Sequence, residues 1–325
     1  MSKTIMTALG PVSTAELGVT SMHEHLIVGM PGWEFDSAYR YDRKAVFEKC
    51  AAQVLAAKEF GLRSFVDATP TDLARDPEMY KMIQGETGVN VICAAGVYTE
   101  PEGNSAFWRL LSTYKGYDEA LKRLSEAYIN DITVGIPGSD VKCGLLKLSA
   151  GKGSITKLEQ LSIHAGVLAQ KETGAPIISH TGSADVGPQL AKMLLELGAD
   201  PKKTMIGHMC DTDSIELLVE TLEMGVYVGL DRFGLSMIFS DELKCRTLCK
   251  LVEMGYGDRI LIGHDCTIHN HAGDLIPDSI LATMPDWNMC GLFRTFLPRM
   301  KELGLTDEDI RKLMTDNPRR FLEGA

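Results

Sequence analysis

Gly18-Val19-Thr20-Ser21-Met22-His23-Glu24-His25-Leu26-Ile27-Val28 is the stretch from which the fold is read. Two histidines stand two residues apart among Val, Thr, Leu and Ile. Such neighbours favour an extended chain. In a strand, residues i and i+2 point to one face. His23 and His25 therefore stand side by side, as a metal ion requires of neighbouring imidazoles. A lone His-x-His is commonly a surface or capping pair, so its meaning depends on the rest of the chain.

Upstream, a short hairpin is expected over residues 3–18: Thr4-Ile5-Met6-Thr7, a turn at Gly10-Pro11, then Ala15-Glu16-Leu17-Gly18. Downstream, a pattern repeats. Helical spacing over residues 43–60, 73–86, 117–131, 157–173, 187–198, 214–225 and 240–255 alternates with apolar strands. Those strands are Arg63–Ala68, Val91–Val97, Gly144–Leu148, Pro176–His180, Thr204–His208, Val226–Asp231 and Arg259–Asp265. Helices near 291–303 and 307–315 close the chain, with a last turn after Asn317-Pro318. Eight near-continuous apolar strands in alternation with helices predict an α/β fold, a (β/α)8 TIM barrel. An open doubly wound sheet is the runner-up, but no Gly-x-Gly-x-x-Gly follows the first strand. The expected organisation is one domain over 1–325, hairpin over 1–18 and barrel with closing helices over 19–325.

Composition agrees. The chain has 325 residues, 45% apolar and 24% charged, as a globular enzyme with a full core does. A net charge of −11 without long single-sign runs argues against nucleic acid or an anionic membrane as partner. No run of about 20 apolar residues suggests a membrane span, and the N-terminus lacks a signal-peptide core. The eight scattered cysteines read as reduced, mostly buried thiols of a cytoplasmic protein. Cys245 and Cys249, four apart on a helix, lack the second pair that a zinc clip needs.

Barrel chemistry sits at the C-terminal ends of the strands. Those ends carry His23 and His25, Lys147, His180, His208 and Asp265, with Tyr98 after the third strand and Asp231-Arg232 after the seventh. Singly, a strand-end His is a hydrogen-bonded structural residue and a strand-end Asp a helix cap. Together they are a ligand set that suits zinc, iron, manganese or cobalt. Lysine is the odd member, because an ammonium repels cations. Lys147 must be neutral or chemically converted to belong.

Met22-His23-Glu24-His25, Gly96-Val97-Tyr98, Leu145-Leu146-Lys147, Ile178-Ser179-His180-Thr181, Ile206-Gly207-His208, Gly229-Leu230-Asp231-Arg232-Phe233-Gly234 and Gly263-His264-Asp265, in this order, resemble the phosphotriesterase family of the amidohydrolase superfamily. Within it the chain is most similar to the phosphotriesterase-like lactonases, from about residue 4 to Phe321. The resemblance implies two divalent ions, zinc first among them. His23, His25 and Asp265 would hold the buried one, and His180 and His208 the more exposed one. Lys147, as a carbamate, would bridge them together with a hydroxide. It implies Asp265 as proton shuttle, and catalytic roles for Tyr98 and Arg232 beside it. The phosphotriesterases carry Trp and His at the last two positions, so Tyr98 and Arg232 favour a lactone over a phosphotriester, and the activity implied is that of a lactonase with promiscuous phosphotriesterase activity. It also implies a small-molecule substrate, lactone or ester, and a homodimer. The alternatives are a phosphotriesterase, a hydrolase of a linear ester or amide with the same centre, and more remotely a non-catalytic binding barrel. Cys266 through Asn288 reads as a loop, with His269 and His271 facing solvent and without a ligand role. That loop, Trp287 and the aromatic 29–42 loop are expected to set substrate choice.

Overall fold

The computed structural model describes residues 3–273 and 276–324. Met1, Ser2, Asp274, Leu275 and Ala325, which the expected domain span and the loop reading also include, lie outside the described residues.

The hairpin forms, in a different register from the expected one. β1 (Thr4–Thr7) pairs antiparallel with β2 (Gly10–Ser13), Thr7 opposite Gly10, so the turn is Ala8-Leu9 and not Gly10-Pro11. Thr7 Oγ1 donates to the Gly10 carbonyl across it at 2.7 Å. Ser13 Oγ then accepts from Ala15 N, which turns residues 14–16 into a 3-10 helix instead of a second strand.

The barrel follows in chain order. It comprises β3 (Val19–Val28), α1 (Arg43–Glu59), β4 (Leu62–Asp67), α2 (Pro77–Thr87), β5 (Asn90–Gly96), α3 (Ala106–Lys115), α4 (Tyr117–Thr133), β6 (Leu145–Ala150) and α5 (Lys157–Thr173). It continues with β7 (Ile177–Thr181), α6 (Gly187–Glu196), β8 (Thr204–Ile206), α7 (Ile215–Glu223), β9 (Tyr227–Leu230), α8 (Asp241–Glu253), β10 (Ile260–Ile262) and β11 (Cys266–Asn270). Neighbouring strands from β3 to β10 pair in parallel, and β11 pairs in parallel with the free side of β3. β10 and β11 are thus two halves of the eighth strand, and their pairings with β9 and β3 close the barrel. The break lies at residues 263–265, where Asp265 N donates to His23 O at 2.9 Å and Asp265 takes φ 52.

This corrects the loop expected from Cys266 onward: Cys266–Asn270 is strand, in register with Glu24–Val28. α2 begins at Pro77 and not at residue 73, because Asp76 caps it and the proline disfavours helical backbone before it. α3 had no counterpart in the expected alternation. Phe107, Leu110, Leu111 and Tyr114 stand at helical spacing and Ser105 caps the helix, a signal the sequence reading passed over; of the four only Leu111 is buried. The closing helices carry π-turns at Leu292–Phe296 and Lys312–Asp316, each just ahead of a proline, Pro298 and Pro318. A proline lacks the N–H that an i→i−4 bond requires, and a wider turn absorbs the loss. Asn317–Glu323 is a helix of its own.

Two cores hold the barrel. Inside it, Met22, Val66, Ala94, Leu145, Ile178, Met205 and Leu261 meet, and Ile5 of the hairpin and Phe321 of the last helix join them. Outside, a larger shell packs strands against helices. The interior is therefore filled at one end, and polar strand ends have room at the other. Among the described residues no helix is long and apolar enough to cross a membrane. All eight cysteines are free, and only Cys249 is less than buried.

Candidate metal centre

β3 brings His23 and His25 to the mouth with their rings 5.3 Å apart. His23 Nδ1 lies 2.7 Å from Asp231 Oδ2, and its Nε2 faces inward, 2.8 Å from Lys147 Nζ and 3.4 Å from Asp265 Oδ1. His25 Nδ1 lies 2.8 Å from Thr69 Oγ1, and its Nε2 lies 3.0 Å from Asp265 Oδ1. His208 follows β8. Its backbone N and its Nδ1 donate to Asp231 Oδ1 at 2.7 and 3.1 Å, and its Nε2 lies 2.9 Å from His180 Nδ1 and 3.7 Å from Asp265 Oδ2.

These second partners fix the tautomers. Ionised Asp231 only accepts, so Nδ1 carries the proton on both His23 and His208. The Thr69 hydroxyl donates to Ile27 O at 3.3 Å, so it accepts from His25 Nδ1–H. Three inward Nε2 atoms are left with bare lone pairs, as ligating histidines require. His208 and Asp265 both hold left-handed backbone, φ 59 and 52, which costs a non-glycine residue about 1–3 kcal/mol and typically marks a functional site.

Electrostatics agree. Burial lowers His23, drives His208 down to about 3 and His180 well below its ordinary value, so all three are neutral at pH 7. Burial opposes ionisation of Asp265, but His208, His23 and Arg232 outweigh it and hold the carboxyl well below the usual range. Burial brings Lys147 down to about 8, against the pull of Asp265 and Asp231. Neutral imidazoles, ionised carboxylates and an amine near neutrality form a donor set waiting for cations.

Two overlapping groups could hold ions, His23–His25–Asp265 and His23–His208–Asp231, which share His23. That is a binuclear arrangement. Asp231 sits on the Nδ1 side of both its histidines, behind the rings, so it orients them instead of facing the inward lone pairs. A third group, Glu24–His264–Cys266, is closed by the chain itself. Glu24 takes Ser21 Oγ and His264 Nδ1 at 2.5 Å and Cys266 Sγ at 3.0 Å, while His264 Nε2 accepts from Leu292 N at 2.8 Å. It pins the barrel seam to the closing helices.

All the strand-end residues singled out in the sequence meet here. Lys147 on β6 is buried against His23. The Tyr98 hydroxyl lies 3.4 and 3.5 Å from the two nitrogens of His180, nearly equidistant, and the two rings meet edge-on with centroids 4.8 Å apart. Asp72 fixes its backbone by accepting from Tyr98 N at 2.9 and 3.0 Å. Arg232 is fully engaged, Nε on Asp265 Oδ2 at 2.8 Å and Nη1 on Asp211 Oδ2 at 2.6 Å. Asp231, Thr69 and Asp211, which support these residues, carry no signal of their own in the sequence beyond the strand-end position of Asp231.

A cavity of about 390 Å³ opens onto His25, Lys147, His180 and Asp265, with Trp33, Tyr98, Leu235, His271 and Trp287 among its walls. His271 is buried and His269 half-buried, a correction to the solvent-facing reading: the strand register turns them toward the 29–42 loop.

Barrel and donor set together place the protein among metal-dependent hydrolases. The chain belongs to the phosphotriesterase family of the amidohydrolase superfamily, whose Phosphotriesterase family model matches residues 3–322. An organophosphorus hydrolase from Deinococcus radiodurans has a similar structure, with a TM-score of 0.94 and 34% identity over 98% of this chain and 96% of that one. A mutant phosphotriesterase-like lactonase from the same organism gives 0.94 at 33%, over 98% of this chain and 99% of that one. An aryldialkylphosphatase from Saccharolobus solfataricus is 30% identical over 313 residues, 95% of this chain and 96% of the relative.

Proposed function

We propose that the protein, one barrel over residues 1–325, hydrolyses uncharged esters, phosphotriesters and lactones alike, at a binuclear centre held by His23, His25, Lys147, His180, His208 and Asp265. The observation that carries this is the cavity. Among its described lining residues the one ammonium is Lys147, buried at the floor against His23, so away from the floor the walls offer the substituents of a substrate no cationic side chain, which suits uncharged groups. The rest of the wall is largely apolar. The names of the similar proteins point both ways, to organophosphates and to lactones.

Divalent ions held by these residues would lower the pKa of a bound water and polarise a carbonyl or phosphoryl oxygen. The donor set accepts zinc, iron, cobalt or manganese, zinc being our first choice. The chain's own residues do the remainder. The Lys147 amine, down to about 8, is partly unprotonated near neutrality and can add carbon dioxide with loss of a proton, which gives a carbamate anion. Asp265, within hydrogen-bond reach of both His25 and Arg232 and lining the cavity, is in this reading the group that takes the nucleophile's proton and passes it to the leaving oxygen. Arg232 keeps that carboxylate ionised and oriented. Tyr98 offers its hydroxyl to the oxygen that gains charge, a bond worth most in the transition state. Leu235, Trp33 and Trp287 exclude water. A homodimeric assembly and a cytoplasmic location belong to the same reading.

The test is a panel of γ-lactones, linear 4-nitrophenyl esters and dialkyl 4-nitrophenyl phosphates on metal-loaded protein. Turnover of uncharged members with close to two ions per chain is the expected result. Protein that holds two ions and cleaves none of them would refute the proposal, as would turnover with the ions removed.

A further inference from the structure

The 29–42 loop and the end of β11 are strapped together by side chains that the metal centre does not use. The Tyr39 hydroxyl lies 2.9 Å from His269 Nε2 and 3.2 Å from His271 Nδ1. The Trp33 indole stacks on His271, centroids 3.8 Å apart and planes 8° off parallel. Tyr41 meets His271 edge-on at 4.7 Å. His271 is itself anchored, its N donating to Val28 O at 2.8 Å in continuation of the β11–β3 ladder. A phenol has one proton, so it donates to one imidazole and accepts the N–H of the other. The result is a strap from a rigid strand end to a surface loop.

The place of Trp33 gives the strap a consequence. Trp33 and Pro31 line the cavity over the metal centre, and both also line a second cleft of about 830 Å³ on its outer side. That cleft runs past Phe35, Asp72, Glu100 and Arg109. Trp33 and Pro31 are thus the boundary that the 390 Å³ chamber shares with this larger space. Trp287, which also lines the chamber, is held separately, its Nε1 donating to His264 O at 3.2 Å, so the strap acts on Trp33 and not on Trp287.

We propose that Tyr39 is a positioning residue that sets the upper size of substrate. Through His269 and His271 it keeps Trp33 across the boundary, so esters with small substituents fit and those with long alkyl substituents are turned away. This inference rests on the ester-hydrolase reading of the same cavity.

Tyr39→Phe keeps the ring and deletes the hydroxyl; Trp33→Leu removes the indole itself. Each is compared with wild type on γ-butyrolactone against γ-dodecalactone, and on dimethyl against dibutyl 4-nitrophenyl phosphate. In whichever series the wild type accepts, Tyr39→Phe should raise the kcat/KM ratio of large to small member roughly tenfold, the scale of one or two lost neutral hydrogen bonds. The gain should come through KM, with kcat on the small member and metal content unchanged. Trp33→Leu should give at least as large a shift. An unchanged ratio in both variants overturns the inference, as does an equal loss on both members. Acrylamide quenching gives a reading independent of turnover. Trp33→Leu supplies the background of Trp108 and Trp287, and the Trp33 component must become more accessible in Tyr39→Phe. A Trp33 as protected as in wild type overturns the positioning role even if the enzyme cleaves every ester offered, and a wild type inert on the whole panel overturns both readings.

Discussion

Asp231→Asn replaces one oxygen by an amide of the same shape, and the geometry dictates the outcome. Asp231 is wholly buried, and accepts from His208 N at 2.7 Å and His208 Nδ1 at 3.1 Å on one oxygen, and from His23 Nδ1 at 2.7 Å on the other. Asparagine has one acceptor. It must keep that oxygen toward His208, where a backbone N–H cannot give way, and so turns its NH2 toward His23. His23 then has to accept at Nδ1 and carries its proton on Nε2, the atom that faces Lys147 and Asp265. A protonated Nε2 has no lone pair for a metal. Restoring the ligating tautomer leaves two donors facing each other in a buried site, at about 1–3 kcal/mol. Loss of such an orienting partner typically lowers metal affinity 10–100-fold, or about 1.4–2.8 kcal/mol at 1.4 kcal/mol per decade. The assay is competition of the loaded protein against a graded chelator, with ions per chain read by elemental analysis and the fold checked by circular dichroism. One of the two ions should leave the variant at correspondingly lower chelator. A folded variant that holds both ions with the wild-type midpoint would show that Asp231 does not set the His23 tautomer, and that the His/His/Asp arrangement has been misread.

Lys147→Ala should emerge with less than one ion per chain and little activity, with added formate or propionate restoring part of both; full activity without additives would remove Lys147 from the site. Tyr98→Phe should lower lactone kcat/KM roughly 10²-fold, the scale of one lost oxyanion donor, and phosphotriester kcat/KM much less; equal small losses on both would reduce Tyr98 to packing. Burial pushes the Asp72 carboxyl up to about 6. A carboxyl with a raised folded pKa favours folding while protonated, and that contribution disappears as pH rises through the folded value. Denaturant unfolding from pH 4 to 7 should therefore show Asp72→Asn gaining on wild type by on the order of 2 kcal/mol, at 1.36 kcal/mol per unit; parallel pH profiles would contradict a raised Asp72.

Much of this was legible in the chain. Strands buried on both faces must be apolar throughout, so the alternation of apolar runs with helical periods reports a parallel barrel directly. Barrel chemistry gathers at strand ends, so His23, His25, Lys147, His180, His208 and Asp265 could be named from order alone. Elements were lost where local signals were weak or misleading. α3 was passed over although Phe107, Leu110, Leu111 and Tyr114 stand at helical spacing; it buries only the second leucine, so it adds little to the core. Gly10-Pro11 reads as a turn, yet Gly10 pairs with Thr7 and Pro11 with Met6. The eighth strand breaks at Gly263–Asp265 and resumes as β11, where Cys266 and Ile268 are buried and Thr267 and His269 half-buried. That alternation spans only a few residues ahead of Asn, Gly and Pro, too short to be told from a loop; the pairing with β3, at the far end of the chain, is what makes it a strand. The same holds for function. A ligand is recognisable by residue type, but Asp231 orienting two histidines, Arg232 spent on Asp265 and Asp211, and Tyr39 holding His269 and His271 are facts of distance. Sequence determined which atoms could bind metal; only the closed barrel decided which nitrogen of each ring faces inward, and which aromatic bounds both the substrate's chamber and the space beyond.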